Sequence, residues 1–231
     1  QFMLTEEAFP LFVGETGIGR IVQRAAEATL KDPNGDARNQ GAIDLPTIQK
    51  WINFWFSSAI ELFGGEISSN AADYFATGLK GRHHERKKYE EHSGLRDIYS
   101  IPVVKDGRLT DEEVPLRNAM NEVLRDEYVS DCERACARWN KRIQESGLTG
   151  FELKIPSRRF NRSMGIYADH CFDLEGQIIS EGEFEKRKSE WLPTAEDRAY
   201  VQSVMVPCYE PGKFAPWIAP PFRTGASQRS A

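Results

Sequence analysis

The sequence lacks several features that would identify a functional class at once. It has 231 residues with only four cysteines and four histidines, and its net charge is −5 with a pI near 5.5. Because the charge balance is acidic, nucleic-acid binding is disfavoured as the main activity. The most apolar window, residues 51–63, is shorter than a membrane span and contains Asn53 and Glu61. We therefore expect a cytoplasmic protein that binds neither nucleic acid nor membrane.

Common catalytic and metal-binding frameworks are also missing. The cysteines contain no C-x-x-C pair and do not form the two knuckles of closely paired ligands that a structural zinc site needs. We interpret Cys132, Cys136, Cys171 and Cys208 as reduced thiols. The chain has no nucleophile elbow and no phosphate-binding glycine loop after a strand. For the four histidines, His83, His84, His92 and His170, exposed positions are favoured over a metal cluster.

Helical periodicity dominates what is present, so the predicted fold class is mainly α with small irregular or β additions towards the C-terminus. The predicted helices cover residues 2–31 (with the pattern resuming after Gly14), 45–63, 68–79, 115–147, 181–191 and 195–205. Short strands are predicted at 98–104, 151–155 and 177–179. Residues 45–63 are apolar almost all round, which predicts a buried central helix capped by Asp44. Gly17 and Gly19 in the first helix indicate close helix packing or a kink.

Two adjacent carboxylates, Glu6 and Glu7, lie in an apolar helical stripe near the start. Buried acids are costly unless they are paired or bind a cation, so the pattern fits either a metal site or a solvent-facing acidic turn. Helical di-iron sites use Glu-x-x-His, but Phe9 and Pro10 stand three residues after these acids. No Glu-x-x-His occurs in the chain, so the residues alone give half of the motif.

Two basic clusters stand out in this acidic chain and are candidates for phosphate binding, although solvated faces are the alternative. The first contains Arg82, Arg86 and Lys87, followed by Lys88, and the second contains Arg158, Arg159 and Arg162.

Long sequence blocks resemble one known family. They include FMLTEEA (2–8), FVGETGIGRIVQR (12–24), EVPLRNAMNEVLRDEY (113–128), PSRRF (156–160) and WIAPP (217–221). Together they resemble the oxygenase component of benzoyl-CoA 2,3-epoxidase, the BoxB family, from the first residue almost to the last. The resemblance implies a ferritin-like helical bundle with a non-haem di-iron (Fe) centre that activates O₂ and epoxidises benzoyl-CoA in aerobic benzoate degradation. It further implies electrons from NADPH through a separate reductase that carries FAD and an iron–sulfur centre.

The chain departs from the family in two respects. Family members extend further on the N-terminal side, so the resemblance implies a C-terminal portion. The family pattern Glu-Glu-Ala-His-His reads here Glu6-Glu7-Ala8-Phe9-Pro10. The resemblance thus matches the iron ligand to Glu7, or alternatively Glu6, and its histidine partner to Pro10 or Phe9. Neither of these can bind iron, and Pro10 also disturbs a helix. We expect this chain alone to assemble no di-iron site and to show no O₂-dependent turnover.

The resemblance also predicts how the chain is organised. Residues 1–80 are the C-terminal part of a ferritin-like di-iron bundle, and 81–112 are a charged connector with a possible hairpin. Residues 113–222 are a long bundle helix with a C-terminal extension, and 223–231 are a disordered tail. Both basic clusters become candidates for the CoA phosphates. The alternatives are a non-catalytic or degenerate homologue that retains only CoA-thioester or partner binding, and a related monooxygenase acting on another aryl-CoA.

Overall fold

Three long helices form the body of the chain in the computed structural model, which describes residues 2–68, 70 and 97–205 and side chains from residue 8 onward. Helix α1 spans Phe2–Lys31, α2 spans Leu45–Ile60 and α3 spans Met120–Glu145. Helices α1 and α3 run parallel, because Glu15 pairs with Arg138 and Gly19 lies against Arg142 one turn further along both helices. Their common core consists of Val22, Ala25, Ala26, Leu45, Ile48, Cys136, Ile143 and Leu153.

Helix α1 is continuous through Pro10 and Gly14, so the predicted interruption at Gly14 is wrong. The close packing predicted from its glycines holds at Gly19, where an added Cβ would lie 2.8 Å from the Nε atom of Arg142. It does not hold at Gly17, which has no neighbouring atom within 4 Å of that position. Only one of the two glycines therefore serves the contact between α1 and α3.

Helix α2 begins as predicted, with the Asp44 side chain accepting a hydrogen bond of 2.8 Å from the Thr47 backbone N–H. The prediction that it is buried all round is wrong, since Trp55 is 63% exposed. The buried face instead includes Asn53 and Ser57. Asn53 donates to the Trp191 carbonyl at 2.9 Å, which satisfies the amide and allows it to be buried.

The predicted hairpin is present and is longer than expected. Strand β1 (Ile98–Lys105) pairs antiparallel with β2 (Arg108–Pro115) along their whole length, around a turn at Asp106 and Gly107 with positive φ. The predicted helix start at residue 115 is wrong because Arg108–Pro115 pairs with β1. A 3₁₀ turn, Leu116–Asn118, separates β2 from α3. Strand β2 also crosses the predicted division between residues 112 and 113.

The prediction of a strand at 151–155 is wrong, because these residues form no strand and pair with none in the described chain. Two side-chain amides make the backbone hydrogen bonds that a neighbouring strand would otherwise make. Asn140 of α3 both donates to and accepts from the Leu153 backbone, at 2.8 Å in each direction. Gln49 of α2 does the same for Lys154, at 2.7 and 2.8 Å. The segment is thereby fixed between two helices.

The C-terminal part confirms the remaining predicted elements within the described residues, namely strand β4 (Ile178–Ile179) and helices α4 (Glu181–Trp191) and α5 (Ala195–Val204). Strand β4 pairs antiparallel with β3 (Cys171–Phe172), which the sequence did not predict. The observed architecture is mainly α with two small antiparallel sheets. The predicted helix at 68–79 lies almost entirely outside the described residues, as do the extension after residue 205 and the tail.

Helix α5 is attached to α2 through one carboxylate, Asp197. Asp197 and Thr194 together cap the start of α5. The Asp197 carboxylate also lies 2.9 Å from the Lys50 ammonium and 2.9 Å from the Arg38 guanidinium. Burial raises the pKa of Asp197, but hydrogen bonds from Lys50, Thr194 and Arg38 together outweigh burial and hold its pKa well below the usual range. Among the described helices, none has the length and apolar character needed to cross a membrane.

Candidate functional site

A cavity of about 840 Å³ lies where the segment after α3 meets α2, α3 and the hairpin. Its wall combines three cations (Lys154, Arg158, Arg159), four carboxylates (Glu122, Glu133, Glu152, Glu175) and three aromatic rings (Tyr99, Phe151, Tyr167). Ligand pockets of this size range typically combine an apolar lining with a few placed polar groups. The segment at 151–155, which Asn140 and Gln49 hold in place, contributes Lys154 to this wall, and the residues that follow it contribute Arg158 and Arg159.

Arg158 is committed to carboxylates of α3. Its Nη1 atom lies 3.0 Å from Glu122 and its Nη2 atom 2.5 Å from Asp126. Burial lowers the pKa of Arg158, but the hydrogen bond to Asp126 and the nearby negative charges outweigh it, so the group stays charged. Tyr99 donates to the same Asp126 at 2.6 Å, and burial together with this bond raises the pKa of Tyr99. The Asp126 carboxylate of α3 thus contacts both Tyr99 of the hairpin and Arg158 of the chain after α3.

Arg162 belongs to a buried ion-pair network rather than to the cavity surface. Its side chain is fully buried, with Nε 2.6 Å from Glu61 and Nη1 2.7 Å from Glu66. Burial raises the pKa of Glu61, but hydrogen bonds from Arg162 and Ser163 outweigh burial and lower it. The phosphate role predicted for Arg162 is therefore not supported by its surroundings, because two carboxylates already neutralise it.

The centre of this network is Glu66, whose side chain has no exposed surface. It also lies 3.3 Å from the buried guanidinium of Arg125, and it accepts a hydrogen bond of 2.8 Å from the Ile166 backbone. Gly165 has φ 79°, and an added Cβ would lie 1.9 Å from the Glu66 carboxylate. A glycine is required here because no side chain fits beside the buried acid.

Sequence reasoning missed this network. Glu122, Arg125 and Asp126 follow one another at helical spacing, a pattern that is typical of a solvated helix face. The missed signal is that Glu122 and Arg125 lie next to the apolar positions Met120 and Val123. The burial of Arg125 depends on Glu66, and that of Glu122 also on Arg158; both partners are distant in the sequence, so no local pattern shows them.

The other residues predicted to bind phosphate are not part of this ion-pair network in the described structure. Arg159 lies on the cavity wall and pairs with no carboxylate of the described residues. Arg82, Arg86 and Lys87 lie outside the described residues.

The described residues do not supply a metal site. They contain no group of three or more His, Cys, Asp or Glu side chains that could hold a metal ion. The side chains of Glu6 and Glu7 lie outside the described residues, and Phe9, in the position of a possible ligand, is 71% exposed. The donor set in the described part of the chain therefore does not fit a complete di-iron centre.

The described cysteines, Cys132, Cys136 and Cys171, are free thiols. Burial raises the pKa of Cys136 to about 11, so its thiol stays protonated and is a poor nucleophile.

Comparison with known proteins gives one relative and no matching family model. The chain is 43% identical over 226 residues to benzoyl-CoA oxygenase component B of Aromatoleum evansii, and this match covers 96% of the chain. The chain spans 48% of that relative's length, about half. The identity confirms the resemblance found in the sequence blocks.

Proposed function

From this relationship to benzoyl-CoA oxygenase component B, we propose that the chain is part of the oxygenase component of a cytoplasmic benzoyl-CoA 2,3-epoxidase. The observation that carries the proposal is the 43% identity over 226 residues. In the proposed reaction, one oxygen atom of O₂ adds across the 2,3 bond of the ring and the other leaves as water. The two electrons come from NADPH. The words "component B" support a multicomponent system, in which a separate reductase with FAD and an iron–sulfur centre delivers these electrons.

The proposed cofactor is a di-iron centre in a ferritin-like bundle, which would supply the activation of O₂. This chain would contribute Glu7, or Glu6 as the alternative. Since Phe9 and Pro10 replace the family's histidines and no complete ligand set occurs among the described residues, we propose that this chain alone holds no such centre. No catalytic step is therefore assigned to its residues.

The cavity residues have a role that does not depend on iron. A coenzyme A ester combines a long polar arm with phosphate groups, and the cavity offers amides, aromatic rings and cations of matching kinds. We assign the cavity to binding part of the CoA ester. Arg82, Arg86 and Lys87 remain candidates for further phosphate contacts.

A second candidate function is favoured by one observation, the Phe9-Pro10 pair. A degenerate homologue that retains CoA-thioester or partner binding needs no histidine at these positions. Such a protein would keep the cavity and lose the oxygenase reaction.

The test uses the longest product of the gene, purified and combined with the reductase. The oxygenase assignment predicts about two irons per chain, NADPH oxidation that depends on benzoyl-CoA, and a product 16 mass units heavier, as expected for one added oxygen. Absence of both iron and turnover refutes it and leaves the degenerate homologue. Faster turnover of phenylacetyl-CoA than of benzoyl-CoA would assign a different aryl-CoA. The 231-residue chain is expected to show no turnover, and a measured rate would refute that expectation.

A further inference from the structure

One guanidinium in the cavity wall, that of Arg159, makes no hydrogen bond or ion pair with the described residues. The Nε atom of Arg159 is buried, yet it makes no hydrogen bond within the described structure. No carboxylate of the described residues forms an ion pair with this side chain, although Glu133, Glu152 and Glu175 line the same cavity. Because the Nε atom is not accessible from the cavity, an anion could reach this guanidinium only through its two Nη atoms, which make no hydrogen bond to the described residues either.

The surroundings of Arg159 hold the guanidinium in place without neutralising it. Its Cζ atom lies 5.9 Å from the centre of the Phe172 ring. On another side is Gly176, with φ 81°, where an added Cβ would lie 3.0 Å from the Nη2 atom of Arg159 and 2.3 Å from the Ser157 hydroxyl. An aromatic ring and a glycine thus bound the guanidinium, and neither residue accepts a hydrogen bond from it in the structure.

The neighbouring arginines provide the contrast. Arg158 is held by Glu122 and Asp126, and Arg162 by Glu61 and Glu66. A guanidinium that is already paired gains little from a second anion, whereas an unpaired, oriented one can bind phosphate with two parallel hydrogen bonds. The exposed Lys154 adds a second positive charge to the same wall.

We propose that Arg159 binds a phosphate group of the coenzyme A ester in this cavity, while Arg158 and Arg162 serve as structural cations. This inference rests on the proposed function, and it narrows the predicted phosphate ligands of the second basic cluster to one residue.

The experiment is calorimetric titration of the 231-residue chain with coenzyme A, 3′-dephospho-coenzyme A, ADP and pantetheine. Arg159→Gln is expected to weaken coenzyme A binding by about 10- to 100-fold, because hydrogen bonds between charged groups are among the strongest in proteins. Arg159→Lys should retain part of the affinity. Pantetheine, which has no phosphate, should bind equally to the parent and to Arg159→Gln. The variant's response to 3′-dephospho-coenzyme A and ADP identifies which phosphate is bound.

Arg20→Gln is the matched control, because it removes the same charge from an exposed position on α1 that does not line the cavity. It should leave coenzyme A binding unchanged, and Arg159→Gln should keep the parent's unfolding midpoint, since no described ion pair is lost.

Three results would overturn the inference. In the first, Arg159→Gln binds coenzyme A as tightly as the parent does. In the second, Arg159→Gln weakens pantetheine binding as much as coenzyme A binding, and in the third the parent chain does not bind coenzyme A. None of these results concerns the iron content or the turnover of the longest gene product, so the proposed function is tested independently of this inference.

Discussion

Replacing Arg162 by methionine tests whether the ion-pair network stabilises the fold. Arg162→Met removes the positive charge and keeps an unbranched side chain in a fully buried position. Glu61 then loses a contact of 2.6 Å and Glu66 one of 2.7 Å. Glu61 retains Ser163 as a donor, whereas Glu66 remains buried with Arg125, whose guanidinium also contacts Glu122.

The expected loss is large because a buried carboxylate loses its nearest cation. Removing one partner of a buried ion pair costs about 3–5 kcal/mol, and whole domains are stable by only about 5–15 kcal/mol. Arg162→Met should therefore lose a large share of the free energy of unfolding. Adding Glu66→Gln to it should recover part of this loss. A neutral amide can still accept the hydrogen bond from Ile166, and it removes the unpaired charge at position 66.

Urea denaturation followed by tryptophan fluorescence measures these differences. Arg134→Gln is the control, because Arg134 and Asp131 form an ion pair on α3 in which both side chains are 58% exposed. Exposed pairs contribute about 0–1 kcal/mol. The network does not stabilise the fold as argued if Arg162→Met lowers the free energy of unfolding no more than Arg134→Gln does. The same conclusion follows if adding Glu66→Gln to Arg162→Met lowers the free energy of unfolding further.

The amide contacts of the segment at 151–155 and the ion pairs of Asp197 also give predictions about stability. Asn140→Ala should cost about 2 kcal/mol in urea denaturation, because it leaves the buried Leu153 N–H without a partner and the Leu153 carbonyl with only the weak thiol donor of Cys136. Gln49→Ala should cost about 1 kcal/mol, because its contact with Lys154 is exposed. Equal costs would contradict the amide-pairing argument. The lowered pKa of Asp197 means that its contribution is present above the unfolded pKa of about 3.9 and is lost as pH falls towards the folded value. Asp197→Asn should therefore be less stable at neutral pH and should lose less stability than the parent between about pH 5 and pH 2. Parallel pH profiles would contradict this.

Local signals in the sequence were enough where the physical cause is local. Asp44 and the Thr194–Asp197 pair cap their helices through side chains within three residues, so the helix starts were predictable. The segment at 151–155 shows the limit. Its pattern predicted a strand, but its hydrogen-bond partners are amides from α2 and α3. The start of α3 was misplaced because Val114 and Leu116 continue the helical spacing, while pairing with β1 determines the backbone.

The candidate site was predictable only as a set of charges. The sequence shows arginines at 158, 159 and 162, but it does not show which of them meet carboxylates. That outcome depends on Glu61 and Glu66 after α2 and on Glu122 and Asp126 in α3, which the fold brings to two of the arginines and not to the third. Local charge density therefore could not separate Arg159 from its neighbours.

The proposed iron ligands on α1 and the cavity lie on different elements, and this separates the two proposed functions. No described side chain of α1 lines the cavity, so Phe9 and Pro10, at the positions where the proposed iron site would need histidines, do not alter the proposed phosphate contact. An active oxygenase is expected to bind iron and coenzyme A, with Arg159→Gln weakening only the second. A degenerate homologue is expected to bind coenzyme A with the same sensitivity to Arg159→Gln and no iron. Measuring both in the longest gene product tests this separation, and a loss of iron caused by Arg159→Gln would show that the two sites are coupled and refute it.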